Sequence, residues 1–247
     1  MVLATNLGFP RIGDMRQLKK AVESYWKGKI SKDELTATAK DLRAKNWKLQ
    51  HEAGLDHIPS NDFAYYDQVL NMTAALGLVP SRYQHNGGEV DLDTYFAMAR
   101  GAQKDGLDVT AMEMSKWFDT NYHYIVPEFE KGMEPKLCSE KIFRHYEEAK
   151  ALGIETRPVL IGPATYTFIG KPHYEDFDHK AFALKLIPVY NEILAGLAER
   201  GCKWVQIDEP IFSLDLCEIG QGTIKAAYDA LEKPESLSIL VANYFES

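Results

Sequence analysis

Apolar positions recur along this chain in two alternating patterns, one typical of helices and one typical of buried strands. Apolar residues at steps of three and four predict helices over residues 15–26, 31–54, 65–76, 95–100, 139–152, 178–200 and 224–231. Short runs rich in apolar and β-branched residues predict strands near residues 3–9, 57–63, 111–117, 157–161, 203–207 and 238–244. Strands that alternate with helices favour an α/β fold with a parallel sheet.

This alternation fits most of an eight-stranded (βα)8 TIM-type barrel, but not all of it. About six strand segments are present, so the predicted fold class is α/β with an incomplete barrel. Such a sheet would have open edges, which promote aggregation. We therefore expect residues 1–247 to form one barrel domain truncated before its last strands, either as a fragment of a longer protein or completed by a second copy.

The run at residues 203–210 ends in two adjacent carboxylates and a proline, directly after a helix closed by Gly201. Polar groups at the carboxyl end of a buried parallel strand face the ligand side of a barrel. Asp208 and Glu209 are therefore candidate active-site carboxylates. The alternative is structural: Asp208 caps the next segment and Glu209 pairs with a neighbouring cation.

The first predicted helix carries cations where the helix dipole disfavours them. Asp14 is the predicted N-cap, and Arg16, Lys19 and Lys20 lie in the first two turns. Free backbone N–H groups together with basic side chains form an anion site. A solvated basic face compensated by nearby carboxylates explains the same residues about as well.

Residues 111–124 combine a predicted strand with a loop rich in polar and aromatic side chains. Such a segment is typical of ligand contact. Lys116 is a second cation for an anionic ligand, and Asn121 adds an amide close by. The alternative is an amphipathic surface strand.

Composition narrows the classes of function. The chain has 247 residues, 45% of them hydrophobic, a net charge of -8 and a pI near 5.4, so its overall field repels nucleic acid and an anionic ligand needs a local basic cluster. No apolar stretch approaches a membrane span and no signal peptide is evident, which predicts a cytoplasmic protein. Cys138, Cys202 and Cys217 are widely spaced and predict reduced thiols without a disulfide or zinc knuckle.

Several motifs together resemble one family, the cobalamin-independent methionine synthases, along essentially the whole chain. They are LGFPRIG at 7–13, RQLKK at 16–20, ESYW at 23–26, MSKWF at 114–118, NYHY at 121–124 and WVQIDEP at 204–210. The resemblance implies the first of two (βα)8 barrels in an enzyme that transfers a methyl group from 5-methyltetrahydropteroyltri-L-glutamate to L-homocysteine. Zinc, its ligands and the homocysteine pocket would lie in a C-terminal barrel that residues 1–247 do not include, and neither cobalamin nor another cofactor is expected in this segment.

The resemblance also implies a ligand for the basic cluster. By position, it assigns folate triglutamate binding to Arg16, Gln17, Leu18, Lys19, Lys116 and Asn121. No catalytic or metal-binding residue is expected, and Asp208 and Glu209 become a structural relic of duplicated barrels. Two other functions stay open: a barrel glycoside hydrolase using Glu113 and Glu209, and a non-catalytic binding module.

Overall fold

The computed structural model describes residues 2–104, 107–216 and 218–245. The helices are α1 (Gln17–Trp26), α2 (Lys32–Glu52), α3 (Gln68–Ala75), α4 (Leu92–Arg100), α5 (Lys141–Lys150), α6 (Pro163–Ile169), α7 (His179–Glu199) and α8 (Glu218–Asp229). The strands are β1 (Ile58–Ser60), β2 (Ala102–Lys104), β3 (Leu107–Val109), β4 (Met114–Lys116), β5 (His123–Ile125), β6 (Glu128–Phe129), β7 (Thr156–Ile161), β8 (Lys171–Pro172), β9 (Trp204–Asp208) and β10 (Ser238–Ala242).

The main sheet is parallel and has the strand order β1-β7-β9-β10. Its register places Ile161 and Ala242 on either side of Asp208, so the three strands end at one edge. The strand predicted at residues 3–9 is reduced in the structure to an isolated parallel bridge from Thr5 to His57. The predicted α/β class with a parallel sheet is confirmed, but the described residues do not close into a barrel.

Two predicted strands do not become strands of this sheet: residues 3–9, which contribute only the isolated bridge, and residues 111–117. Residues 114–116 form β4, which pairs antiparallel with β5 in a hairpin, and β2 pairs antiparallel with β3. β6 and β8 form a separate parallel pair. Within the described residues the main sheet therefore contains four strands, fewer than the six segments predicted along the chain.

Polar side chains on the two central strands hold the N-terminal segment against the sheet. Arg157 on β7 donates to the Asn6 carbonyl at 2.7 Å and to Thr5 Oγ1 at 3.0 Å. Gln206 on β9 donates to the Leu7 carbonyl at 3.0 Å. Both side chains are almost fully buried, and their bonds supply hydrogen-bond partners to the backbone of a segment with little strand pairing of its own.

Two hydrophobic clusters lie on either side of α3. The larger one packs β7, β9, α5 and α7 together, around side chains such as Leu160, Tyr190 and Ile207. The other joins α1, α2 and α4, around Leu18 and Phe96. The cation-bearing α1 is thus anchored through its apolar face, which leaves its polar face in solvent.

Two long helices match their sequence signals closely. The capping box at the start of α2 is present: the Glu34 N–H donates to Ser31 Oγ at 3.2 Å, and the Ser31 N–H donates to Glu34 Oε2 at 2.7 Å. α7 contains Pro188 and is long and apolar enough, by length and composition alone, to cross a membrane, contrary to the sequence expectation. Its side chains Leu186, Tyr190 and Leu194 are fully buried among other elements, as in the core helix of a globular domain.

Candidate functional site

The basic end of α1 differs from its prediction in how it begins. The helix starts at Gln17, and Arg16 occupies the N-cap position with a left-handed backbone (φ 58°). Asp14 was predicted to cap it, and that prediction is wrong. The Asp14 carboxylate instead accepts from the Met15 N–H and the Gln17 amide, and pairs with Lys45 at 2.8 Å.

The four predicted tail-binding residues of this segment differ in availability. The side chains of Arg16 and Lys19 are exposed, and Lys19 lies 3.7 Å from Glu23 in a surface pair. Gln17 is engaged with Asp14. Leu18 is 1% exposed, and its N–H donates to the Ile12 carbonyl, so neither its side chain nor its N–H is open to a ligand.

The other two predicted residues lie in the β4–β5 hairpin. Lys116 is the last residue of β4, opposite His123 in the ladder, and both are exposed. Asn121 is exposed in the connecting turn, which is closed by a 2.7 Å bond from the Trp117 N–H to the Tyr122 carbonyl. The hairpin thus presents one cation and one amide to solvent.

Arg11 connects the loop before α1 to the hairpin. Its guanidinium donates to the Tyr66 carbonyl at 2.6 Å and to the Tyr122 hydroxyl at 3.3 Å. That hydroxyl in turn donates to Asp67. In the described part of the chain, no hydrogen bond or ion pair joins residues 16–19 to Lys116 or Asn121, so their cooperation in one site stays a prediction.

The carboxyl edge of the sheet carries a cavity of about 390 Å³. Its walls are formed by residues 7–11, by the carboxyl ends of β1, β7 and β9, by α3, and by the start of α5. The polar lining residues are Arg11, Asn61, Asp62, Gln68, Asn71, Ser139, Lys141 and Asp208. None of the six predicted tail-binding residues lines this cavity.

Asp208 is the candidate carboxylate that faces this cavity. It is 8% exposed and accepts from the Gln206 amide at 2.6 Å. Burial raises the pKa of Asp208 to about 7, against the opposing effects of the Gln206 hydrogen bond and the Arg157 charge. Burial likewise raises the pKa of Asp62, which accepts from the Phe9 N–H. Asp208 can therefore be partly protonated near neutral pH.

Glu209 points away from solvent and serves the fold. It is fully buried, and it accepts from the N–H groups of Ala164 and Thr165 at the start of α6 and from the Tyr228 hydroxyl, at 3.1, 2.7 and 3.0 Å. Burial raises its pKa to about 7. The structural alternative for Glu209 holds, with backbone N–H groups in place of the expected cation.

The glycoside hydrolase hypothesis does not fit this geometry. Glu113 lies on the exposed side of the hairpin and pairs with Lys171 at 2.8 Å. Glu209 is enclosed by α6 and α8, with no exposed surface. A pair of glycosidase carboxyls must face one sugar-sized cleft, which these two do not.

Sequence reasoning did not single out Lys141 and Asn61. Lys141 Nζ donates to Asn61 Oδ1 at 2.7 Å, and the Asn61 amide donates to the Val159 carbonyl at 2.8 Å. Asn61 has a left-handed backbone (φ 60°), a conformation that concentrates at functional sites. Asn61 directly follows β1, at the carboxyl end of that strand. Asp208 drew attention for a similar reason, because it lies at the carboxyl end of β9.

Among the described residues, the cysteine thiols form no disulfide and no metal-binding cluster is found. Cys202 is buried and Cys138 is half-buried, both as free thiols, while Cys217 lies outside the described residues. Among the residues described, no group of three or more His, Cys, Asp or Glu side chains could hold a metal ion.

Comparison with known proteins identifies the family. Residues 3–247 match the family model described as cobalamin-independent synthase, N-terminal domain. Relatives from Salinibacter ruber and Flavobacterium johnsoniae, both named 5-methyltetrahydropteroyltriglutamate–homocysteine methyltransferase, are 52% identical over 99% and 98% of this chain. The matched part is 32% and 31% of those proteins, so the chain spans about a third of their length.

Solved structures agree on the fold. A structure from Listeria monocytogenes superposes with a TM-score of 0.60 over 98% of this chain and 66% of its own, at 16% identity. A B12-independent methionine synthase from Shewanella sp. W3-18-1, in complex with selenomethionine, gives 0.54 over 85% and 53%, at 18% identity. With the family match over nearly every residue, this chain belongs to the cobalamin-independent synthase family, in its N-terminal domain.

Proposed function

We propose that this chain is the folate-binding portion of a methyltransferase that moves a methyl group from 5-methyltetrahydropteroyltri-L-glutamate to L-homocysteine, which yields methionine. The observation that carries the proposal is the 52% identity, over 99% of the chain, to a relative named for that transfer. Because the chain covers only 32% of that relative, the proposal assigns the bond-making residues and the homocysteine pocket to a C-terminal barrel.

The role proposed for this portion is to bind the polyglutamate tail. Arg16 and Lys19 are exposed at a helix start that has no side-chain cap and no acid in its first turn. Lys116 and Asn121 add an exposed cation and an amide on the hairpin. A tail with several carboxylates can pair with such donors, each exposed contact contributing about 1 kcal/mol or less, so affinity should grow with tail length.

The catalytic zinc of this proposal belongs outside the chain described here. The described residues offer no metal-binding group of three side chains and do not fit a zinc ion. In a complete enzyme of this kind, zinc would bind the homocysteine sulfur and stabilise it as a thiolate. The proposal also includes completion of the parallel sheet into a (βα)8 barrel by further strands, and a cytoplasmic location.

Calorimetric titration of this chain tests the tail-binding role. We expect tighter binding of the triglutamate folate than of the monoglutamate, with a difference that shrinks at high salt because the contacts are exposed ion pairs. Lys19→Met and Lys116→Met should each reduce the difference. Lys180→Met, which removes an exposed lysine on α7, is the matched control. Equal affinity for the two folates would overturn the role.

Activity measurements test the assignment of chemistry. The chain alone should show no methyl transfer, and turnover by it would contradict the placement of the reacting groups elsewhere. In a full-length relative, the change that corresponds to Lys19→Ala should raise KM for the triglutamate substrate more than for the monoglutamate one. An equal rise for both would separate Lys19 from the tail.

A further inference from the structure

A second cavity, of about 460 Å³, lies between α2, the segment before α4 and the start of α5. It shares Asn71, Ser139 and Lys141 with the cavity at the sheet edge, so Lys141 stands at the junction of the two. The tail-binding residues proposed above line neither cavity. Whatever this cavity binds is therefore separate from the folate tail.

The first turns of α5 direct three side chains toward this cavity. Lys141, His145 and Glu148 follow one another at steps of four and three, which places them on one helix face. Lys141 is the first helical residue, and its N–H donates to Ser139 Oγ at 3.2 Å. The N-cap residue Glu140 makes no side-chain cap bond, and the first turn contains no acid. Backbone N–H groups at such a start lack intrahelical acceptors and favour a negative charge.

The carboxylates around the cavity are already engaged. Glu148 accepts a bidentate pair of bonds from Arg43, at 2.9 and 3.0 Å. Glu89 accepts two bonds from Arg144. Asp91 accepts from the Asp93 and Thr94 N–H groups at the start of α4. The side chain of Lys141 donates only to the neutral Asn61 amide, and no ion pair with a carboxylate is recorded for it among the described residues.

His145 supplies an independent sign of a missing ligand. It is 5% exposed, it lines the cavity, and its Nδ1 has no hydrogen-bond partner. Burial, followed by the charges of Lys141 and Arg43, lowers the pKa of His145 well below its ordinary value, so the ring is neutral at neutral pH. A neutral ring with a proton on Nδ1 is a hydrogen-bond donor that lacks an acceptor, and leaving it unpaired is costly.

We propose that the cavity between α2 and α5 binds a small oxyanion, a phosphate, sulfate or carboxylate group, held by the ammonium of Lys141, the Nδ1–H of His145 and the first-turn N–H groups that follow Lys141 in α5. The anion would give the lysine a direct ion-pair partner, in addition to the more distant charges of Asp62 and Glu148, and would give the imidazole an acceptor. Arg43 and Arg144 add to the positive field while they stay paired with their own carboxylates.

Binding of the anion should depend on pH through Lys141. Burial, followed by the charge of Arg43, lowers the pKa of Lys141 to about 7. The bound anion favours the protonated amine, so affinity should rise as pH falls from about 8 to about 6. The other charged or titratable groups that line the two cavities beside this lysine are Arg11, Lys32, Arg43, Asp62, Tyr65, Glu89, Asp91, Tyr95, Arg144, His145, Glu148 and Asp208.

The test is a titration of the 247-residue chain with sodium sulfate, whose charge is constant over this pH range, followed by NMR. We expect saturable shifts of the His145 ring nitrogens and of the Ile142 N–H, with tighter binding at the lower pH. Inorganic phosphate and acetate as further titrants decide which oxyanion class the site prefers. Absence of a saturable shift at His145 with all three anions would overturn the proposal.

A pair of lysine variants locates the site. Lys141→Met keeps the length and the apolar stem of the side chain and should weaken sulfate binding about tenfold or more, which corresponds to about 1.4 kcal/mol. Lys136→Met, which removes an exposed lysine shortly before α5, should stay within about twofold of the parent. Unchanged binding by Lys141→Met would contradict the proposal, and the shifts in the parent chain decide the case if that variant does not fold.

Discussion

The sheet edge and the α1–hairpin surface hold their polar groups in opposite ways. At the edge, Glu209 and Asn61 are fixed by short bonds to backbone groups of other elements. On the surface, the side chains of Lys19 and Lys116 are exposed, and Lys19 forms a weak ion pair with Glu23. The difference distinguishes polar residues that maintain the fold from those that are available to bind a ligand. Four substitutions test this distinction.

The largest effect is expected from Glu209→Ala. The substitution leaves the N–H groups of Ala164 and Thr165 and the Tyr228 hydroxyl buried without their acceptor, and each such loss costs about 1–3 kcal/mol. The substitution also removes the cost of burying the Glu209 carboxyl group, which offsets part of this loss. We therefore expect the free energy of unfolding, measured in urea, to fall by about 3 kcal/mol. Glu113→Ala, at an exposed ion pair, should change stability by about 0.5 kcal/mol or less. Similar losses of stability for the two variants would contradict the contrast between the sheet edge and the surface.

Asn61→Ala should cost about 2 kcal/mol. It removes the bonds to Val159 and Lys141 and places alanine at a positive φ. Asn61→Gly loses the same bonds but tolerates the backbone, so it should be about 1 kcal/mol less destabilised than the alanine variant. Urea unfolding of the two variants separates the contributions, and a glycine variant no more stable than the alanine one would exclude backbone strain.

Asp208 should make stability fall as pH rises. Its pKa is raised from an ordinary 3.8 to about 7, so the folded chain binds more protons than the unfolded chain between these values. The stabilisation is complete below about pH 4 and is lost as pH approaches about 7, with a slope of at most about 1.4 kcal/mol per pH unit. Urea unfolding at several pH values should therefore show a shallower decline for Asp208→Asn than for the parent. Asp119→Asn, at an exposed position, should keep the parent slope.

The smallest effect on stability is expected from Lys19→Met. The exposed pair with Glu23 is worth about 0.3–0.5 kcal/mol, so unfolding should change by less than about 0.5 kcal/mol. The same variant should lose affinity for the triglutamate folate. A stability loss above about 1 kcal/mol would show that Lys19 maintains the fold and would remove it from the ligand-facing group.

Regular elements followed from local signals. The helical stripe behind the capping box at Ser31 predicted residues 31–54, and α2 spans Lys32–Glu52. The apolar runs at 157–161 and 203–207 became β7 and β9, because strands buried on both faces need apolar side chains at nearly every position. The helix α6, a single short segment after Gly162, was not predicted, since seven residues are too few to show a helical period.

Pairing and burial did not follow from local signals. Residues 111–117 have a strand pattern, but nothing in that pattern shows that β4 pairs with β5 in a hairpin and not with the main sheet. The Asp14 cap failed because the tight turn from Gly13 to Arg16 delays the helix. Lys141 was missed because its lack of a direct ion pair depends on the partners of three nearby carboxylates, two of which pair with arginines from distant parts of the chain.

The attachment of the N-terminal segment determines when this domain can finish folding. Leu7 is bonded by Gln206, which lies 199 residues further along, and Asn6 by Arg157, which lies 151 residues further along. During synthesis the first residues emerge long before either partner exists. Contacts of such sequence separation slow folding, because a long loop must close before they form. The bond to Leu7 therefore cannot form until the strand that carries Gln206 has left the ribosome, whereas the bridge from Thr5 to His57 can form much earlier.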